Sequence, residues 1–229
     1  MRLTDKVERP KSLTDLALAE IRESIVTGRL QFGDALSETG LATSLGISKT
    51  PVREALLRLK LEGLVEIHPQ RGTYVFQPTE AEVAQICQFR AVIESEALAD
   101  GMRNNPQSLI DALDGCLRDM GEAFLHDRHH QFPQLDTQFH DAIVANCSNG
   151  YLKAAYGLIS AQITALRFRL PTENSQVTHC QENHGIVVNA IREGKTAYAQ
   201  KILREHIHNT ENAYLIASRN RTDAVSAAA

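Results

Sequence analysis

The sequence predicts a mainly α-helical protein, with an N-terminal winged helix-turn-helix domain and a C-terminal all-helical bundle of six or seven helices. Apolar residues recur at spacings of three and four along most of the 229 residues, which is the period of a helix. The alternation typical of strands is confined to Val65–Ile67 and Thr73–Phe76. Pro78 then interrupts the chain, so we expect domains at residues 1–78 and 79–229.

The composition is that of a soluble globular protein, with 43% hydrophobic and 23% charged residues. No stretch is long and apolar enough for a membrane span, and the first residues lack the apolar core of a secretory signal. We therefore expect a cytoplasmic protein. The four cysteines form no CxxC pair, which argues against a disulfide framework or a cysteine zinc knuckle and favours buried free thiols.

Charge divides unequally along the chain, whose net charge is −4. Residues 1–78 carry 11 lysines and arginines against 10 acidic residues, and the remaining residues carry 13 against 18. Because the first half is the less acidic, a polyanionic partner should bind there.

The first two helices are predicted from their caps. Ser12 can cap a helix that stops near Gly28, and Ser37 can cap a second one that stops at Gly46. Both segments carry apolar residues at helical spacing, so each should bury one face.

The third helix begins after Ile47, where either Ser48 or Thr50 can act as the cap. Pro51 falls in its first turn, which tolerates a missing N–H group. Its apolar stripe turns inward, so Lys49, Thr50 and Arg53 should project outward together.

A short hairpin follows in "VEIHPQRGTYVF", with its turn at Pro69–Gly72. Three helices and this hairpin make a winged helix-turn-helix. A helix that presents its first turn outward fits the major groove of DNA, where its side chains reach bases and phosphates. Exposed basic residues alone would indicate only a solvated surface, but the helix spacing and Arg71 on the wing favour DNA.

The same stretch resembles the DNA-binding domain of the GntR transcription regulators over about sixty residues, most specifically in "TPVREAL", "GLV" and "RGTYV". The resemblance implies a double-stranded operator as the partner. Lysine stands at position 49 where many members have arginine. The residues that it implies for DNA contact are Lys49, Thr50, Pro51 and Arg53 in the helix and Gln70, Arg71 and Gly72 in the wing.

Four polar residues of the second half are predicted to point inward. Asp136 and His140 are four residues apart on one helix face, while His184 and His206 lie on the apolar faces of two later helices. A lone inward histidine is usually a hydrogen-bonded core residue. Three with a carboxylate also make a first shell for a divalent metal, and periodicity leaves these interpretations evenly balanced. The cluster His126, His129 and His130 is better explained as a solvated turn than as a second metal site.

The segments "LDTQFHDAI", "ENHGIVVNAIREGK" and "ILREHI" resemble the helical FCD effector domain of the FadR subfamily. The resemblance implies that Asp136, His140, His184 and His206 bind a divalent metal, most simply Zn, with Ni or Mn as alternatives. It also implies that Arg90 binds the carboxylate of a small organic acid. A salt-bridge role for Arg90 stays equally open, and either Arg167 or Arg169 should face the same cavity.

These expectations combine into a ligand-responsive transcription regulator, interpreted as a repressor, that binds a pseudo-palindromic operator as a homodimer. A small carboxylate bound near the metal would alter DNA binding. Two rivals remain: a metal-dependent hydrolase fused to a DNA-binding domain, and a regulator whose metal is purely structural. The sequence has no HExxH motif, and four protein ligands exceed the three typical of catalytic zinc, so we expect no enzymatic activity.

Overall fold

The computed structural model describes residues 12–170, 172 and 174–227, with side chains of the last range described for 177–216. The chain divides after Gln77 into two compact units. In the described part of the chain, no helix is both long enough and apolar enough to span a membrane.

The first unit contains three helices, α1 (Leu13–Val26), α2 (Glu38–Leu45) and α3 (Lys49–Leu61). The predicted caps form: Ser12 Oγ accepts from the N–H of Asp15, and Ser37 Oγ accepts from the N–H of Gly40. Gly46 ends α2 in the left-handed conformation, with φ of 65°, which glycine adopts without a steric penalty.

The core of this unit lies between α1 and α3. Ile21 and Ile25 of α1 and Leu56 and Leu59 of α3 are at most 2% exposed. Their spacing of three or four residues places each pair on one helix face, so the predicted amphipathic faces meet. The first turn of α3 lies at the end of this packed helix and remains accessible.

A three-stranded antiparallel sheet completes the unit, with β1 (Ala35–Leu36), β2 (Val65–His68) and β3 (Gly72–Val75) in the order β1-β3-β2. The predicted hairpin is β2 and β3. β1 was not predicted, because two residues are too few to show an alternating pattern. The connecting turn requires positive φ at Gln70 (64°) and Gly72 (121°).

The second unit contains seven α-helices among the described residues, which confirms the predicted helical bundle. They are α4 (Glu80–Asn104), α5 (Pro106–Leu125), α6 (Phe132–Ala145), α7 (Gly150–Gly157), α8 (Ser160–Arg167), α9 (Asn174–Arg192) and α10 (Thr196–Ala227). A short 3₁₀ turn, His129–Gln131, precedes α6. Thr79 caps α4 in a reciprocal capping box with Glu82.

The helices of the bundle surround an apolar core with a polar centre. α10 packs mainly against α4 and α9, while α5 packs against α6 and α9. Fully buried apolar side chains come from most helices: Leu98, Leu109, Leu113, Phe139, Ile143, Val187, Val188 and Leu203. The same interior buries charged and imidazole side chains of α4, α6, α8, α9 and α10, so the bundle is built around a site.

Truncating the core of the first unit should be costly. Leu59→Ala removes a fully buried side chain and should lower the free energy of unfolding by about 2–5 kcal/mol. Leu61→Ala, in the same helix, removes a side chain that is 84% exposed and should change it by no more than about 0.5 kcal/mol. Urea unfolding of the full chain measures both. Equal losses would contradict the described packing of α3.

Candidate functional site

The first turn of α3 is the candidate DNA-reading element. Lys49 and Thr50 are exposed, while Pro51 is buried against the unit. Ser48 occupies the N-cap position but its side chain makes no capping hydrogen bond. The turn therefore presents a lysine, a hydroxyl group and the amino end of a helix, which attracts phosphate.

Arg53 also faces outward, but a neighbouring helix holds it. Its Nε lies 3.0 Å from Oε1 of Glu38 and its Nη2 lies 2.7 Å from Oε2, so that the two side chains form a bidentate pair between α3 and α2. This pairing raises the pKa of Arg53 and lowers that of Glu38. The guanidinium is thereby oriented beside the first turn of α3.

The wing presents Gln70, Arg71 and Gly72 at the exposed turn between β2 and β3. The hydroxyl group of Tyr74 donates a hydrogen bond of 2.9 Å to the carbonyl oxygen of Arg71. This bond restrains the backbone of the turn, and the Arg71 side chain stays exposed.

The four predicted metal ligands converge at the centre of the second unit. Asp136 and His140 come from α6, His184 from α9 and His206 from α10, and all are buried. His206 Nε2 lies 3.3 Å from Nε2 of His140 and 3.3 Å from Nε2 of His184. Asp136 Oδ1 lies 3.4 Å from His184 Nε2 and 3.7 Å from His140 Nε2.

The hydrogen bonds around this cluster leave nitrogen lone pairs that face its centre, as a bound cation requires. Glu94 Oε2 accepts a hydrogen bond of 2.6 Å from His140 Nδ1. The opposite oxygen of this carboxylate accepts from Arg90. Nε2 of His140 therefore carries a lone pair that faces the cluster. His206 Nε2 faces the Nε2 atoms of both His140 and His184. It can carry only one hydrogen, so it cannot donate to both of them. Ligand atoms about 2.0–2.3 Å from one ion lie roughly 3.3–3.7 Å apart, as observed.

Burial keeps the imidazoles neutral. It lowers the pKa of His184 to about 4 and that of His206 to about 3, and the pKa of His140 lies well below its ordinary value for the same reason. Burial opposes ionisation of Asp136, but the pKa of this carboxyl group is lowered overall, chiefly by the positive charge of Arg167. Neutral imidazoles beside a carboxylate are the forms that bind a metal.

The two inward arginines have different surroundings. Arg167 Nε lies 2.7 Å from Asp136 Oδ2, and its side chain is 1% exposed. Arg90 Nε donates to Glu94 Oε1 at 2.9 Å, which supports the salt-bridge interpretation. Both terminal nitrogens of Arg90 are buried, and among the described residues they have no hydrogen-bond partner. Arg169 is only half-buried and donates to the carbonyl oxygen of Ala165.

A cavity of about 370 Å³ opens onto one side of the cluster. Asp136, Arg167 and His206 line it, so Arg167 rather than Arg169 is the arginine of the pair that faces it. Arg90 does not belong to its described lining. The cavity walls are otherwise largely apolar, with asparagine and threonine side chains of α9 and α10, a composition typical of a small-molecule site.

Glu94 and Cys180 were not predicted to belong to the site. Glu94 follows Arg90 by four residues in α4, and Cys180 precedes His184 by four residues in α9, so helical spacing was the available signal. Cys180 Sγ belongs to the candidate metal-binding group with Asp136, His184 and His206. That group is the only one of its kind in the part of the chain that the structure describes, and the turn at His129 contributes none.

Family models match both units. The model described as "Bacterial regulatory proteins, gntR family" matches residues 13–75, and the model described as "FCD domain" matches residues 85–209. The matched segments contain the candidate DNA-reading turn and the buried cluster respectively.

Relatives are similar along most of the chain. An uncharacterized HTH-type transcriptional regulator in an unstable DNA locus of Streptomyces ambofaciens is 31% identical, over 82% of this chain and 79% of the relative. The gluconate operon transcriptional repressor of Bacillus subtilis (strain 168) is 24% identical, over 88% and 85%.

The fold is shared with a solved structure of a GntR transcriptional regulator from Rhodococcus sp. RHA1. The TM-score is 0.77 at 19% sequence identity, and the likeness covers 90% of this chain and 98% of that one. The matched models and the relative that is 31% identical show that the chain belongs to the GntR family of bacterial regulatory proteins, as a member that carries an FCD domain.

Proposed function

We propose that this transcription regulator is a repressor that releases its operator when a small organic acid binds beside a divalent metal in the helical unit. The observation that carries the proposal is the convergence of Asp136, His140, His184 and His206 next to a cavity lined by Arg167. A buried group of ligands that opens on a cavity suits a sensor. Relatives named as repressors support the direction of regulation.

In the first unit, Lys49, Thr50 and Arg53 are proposed to contact bases and phosphates in the major groove, with Pro51 starting the helix that carries them. Gln70, Arg71 and Gly72 are proposed to contact the flanking backbone through the wing. Their exposure in one compact unit supports these roles. Operator sites for such proteins are commonly two-fold symmetric, so we propose a homodimer that acts on chromosomal DNA in the cytoplasm.

In the second unit, three neutral imidazoles and one carboxylate are proposed as the ligands of a divalent metal. Zn²⁺ matches this donor set most closely, and Ni²⁺ and Mn²⁺ also bind nitrogen and oxygen ligands. A metal bound there supplies a Lewis-acidic centre for a carboxylate oxygen. Glu94 orients His140 through its Nδ1 and so fixes the nitrogen that points to the metal.

The effector is proposed to be a small carboxylate because positive charge borders the cluster. Arg167 lines the cavity and can pair with an anion there. Arg90 remains a candidate for contact with the acid, because its two buried terminal nitrogens have no hydrogen-bond partner in the described part of the chain and an anion would satisfy them. Effector binding can lower the affinity for DNA only to the extent that the effector binds the DNA-releasing conformation more tightly than the DNA-binding conformation.

The hydrolase rival is not supported, because the matched family consists of DNA-binding regulators. The purely structural metal is the relevant competitor.

A thermal-shift screen of organic acids, with and without Zn²⁺, separates a purely structural metal from a sensor. An effector at a hundredfold excess over its dissociation constant should stabilise the holo-protein by about 2.7 kcal/mol and release the operator. A holo-protein that responds to no acid would favour the structural metal.

Removing the Arg53 side chain should weaken DNA binding. Arg53→Ala should lower the binding free energy by about 1–3 kcal/mol, measured on a duplex that the wild-type protein selects from a random library. The reason is that a bidentate hydrogen-bond donor is lost. Arg58→Ala is the matched control, since Arg58 is an exposed arginine of the same helix that pairs with Asp15. Fluorescence anisotropy at several salt concentrations measures both. Equal affinities for the two variants would remove the first turn of α3 from the interface.

Removing one imidazole should empty the metal centre. His184→Ala should reduce bound metal from about one ion per chain to well below that, because the remaining ligands no longer surround the ion. His208→Ala, which removes an exposed histidine of α10, should leave the metal content unchanged. Elemental analysis after dialysis measures both, with circular dichroism as the check on folding. Full metal content in a folded His184→Ala variant would contradict the proposed ligand set.

A further inference from the structure

We propose that Cys180 is an additional metal ligand, a thiolate that binds the ion from the side on which the cavity opens. The inference rests on the metal centre of the proposed function and adds a sulfur donor to its nitrogen and oxygen ligands.

The first observation is the distance of the thiol from the other donor atoms. Cys180 Sγ lies 3.5 Å from Asp136 Oδ1 and 3.9 Å from His206 Nε2. The sulfur and one ligand atom each of Asp136, His184 and His206 all lie within 4.8 Å of one another. Zinc binds sulfur at about 2.3 Å and nitrogen at about 2.0–2.1 Å, which separates adjacent donors by roughly 3.5 Å or slightly more. The thiol therefore needs no large movement to reach the ion.

The second observation is the direction from which each donor approaches. Cys180, Asp136 and His206 line the cavity, whereas His140 does not. His140 is held from the α4 side by Glu94. Helical spacing places Cys180 one turn before His184 on the same face of α9. The thiol thus lies at the cavity-facing part of the cluster, where an effector would enter.

The third observation is the balance of buried charge. Among the described residues of the bundle, the fully charged buried side chains are Arg90 and Arg167 against Glu94 and Asp136, which cancel. A divalent cation would add two positive charges to this neutral interior, and uncompensated buried charge is costly. One thiolate and one carboxylate effector supply two negative charges. The cysteine therefore meets half of the requirement and the anionic effector the other half.

The binding step is balanced by the release of one proton. The thiol donates a hydrogen bond of 3.5 Å to Asp136 Oδ1. If a divalent cation is held there, the S–H bond of Cys180 would break, its electron pair would be donated to the ion, and the proton would pass to solvent. No oxidant or reductant is involved. A sulfur donor also shifts the preference of the site toward Zn²⁺ and away from Mn²⁺.

Cobalt is the probe that tests this ligand. Metal-free protein titrated with Co²⁺ should show visible ligand-field bands and a near-ultraviolet band from charge transfer between thiolate and cobalt. Cys180→Ser should keep the ligand-field bands, lose the charge-transfer band and lower Zn²⁺ affinity by roughly tenfold or more. Cys116→Ser is the matched control, because Cys116 is also half-buried but lies outside the cluster, and it should behave as the wild type.

Each other outcome overturns a distinct statement. Ligand-field bands without a charge-transfer band in the wild-type protein would reject Cys180 as a ligand and leave the proposed centre of Asp136, His140, His184 and His206 intact. A charge-transfer band that persists in Cys180→Ser would assign it to another thiol and also reject the inference. A wild-type protein that binds no Co²⁺ and no Zn²⁺ would reject the metal centre itself.

Discussion

The helical unit depends on the pairing of the charges that lie at its centre. Arg90, Glu94, Asp136 and Arg167 are buried, and each would cost several kcal/mol to remove from water if it were unpaired. Glu94 pairs with Arg90 within α4, and Asp136 pairs with Arg167 between α6 and α8. The apolar core makes the helices pack, but the pair of Asp136 and Arg167 restricts where α6 and α8 can lie relative to one another.

The same burial prepares the imidazoles for their proposed task. Burial of His184 and His206 disfavours their protonation, so their nitrogen lone pairs remain available. Phe139 stacks on the ring of His184 with the centroids 3.9 Å apart, which further restricts its orientation. Glu94 serves two partners at once, since one oxygen accepts from Arg90 and the other from His140. The charge network and the ligand cluster are therefore one structure, in which an anion or a cation changes the balance of every pair.

Several local features could be predicted from sequence because they depend on neighbouring residues. Ser12, Ser37 and Thr79 cap helices through atoms three residues away, and the predicted inward position of His206 follows from the helical period. The pair of Arg53 and Glu38 could not be predicted in this way. It joins residues 15 positions apart on two helices, and its geometry depends on how α2 packs against α3. The two-residue strand β1 forms only because β3 lies beside it.

The sequence alone determined the mainly helical fold, the winged helix-turn-helix and the faces on which Asp136, His140, His184 and His206 lie, because helical periodicity and capping are local. Only the tertiary structure decided that these four side chains meet at one point, that Arg167 rather than Arg169 faces the cavity, and that Glu94 and Cys180 join them. Those outcomes depend on the crossing of α4, α6, α8, α9 and α10. Helix crossings are set by side-chain packing between segments far apart in the chain, which no local pattern encodes.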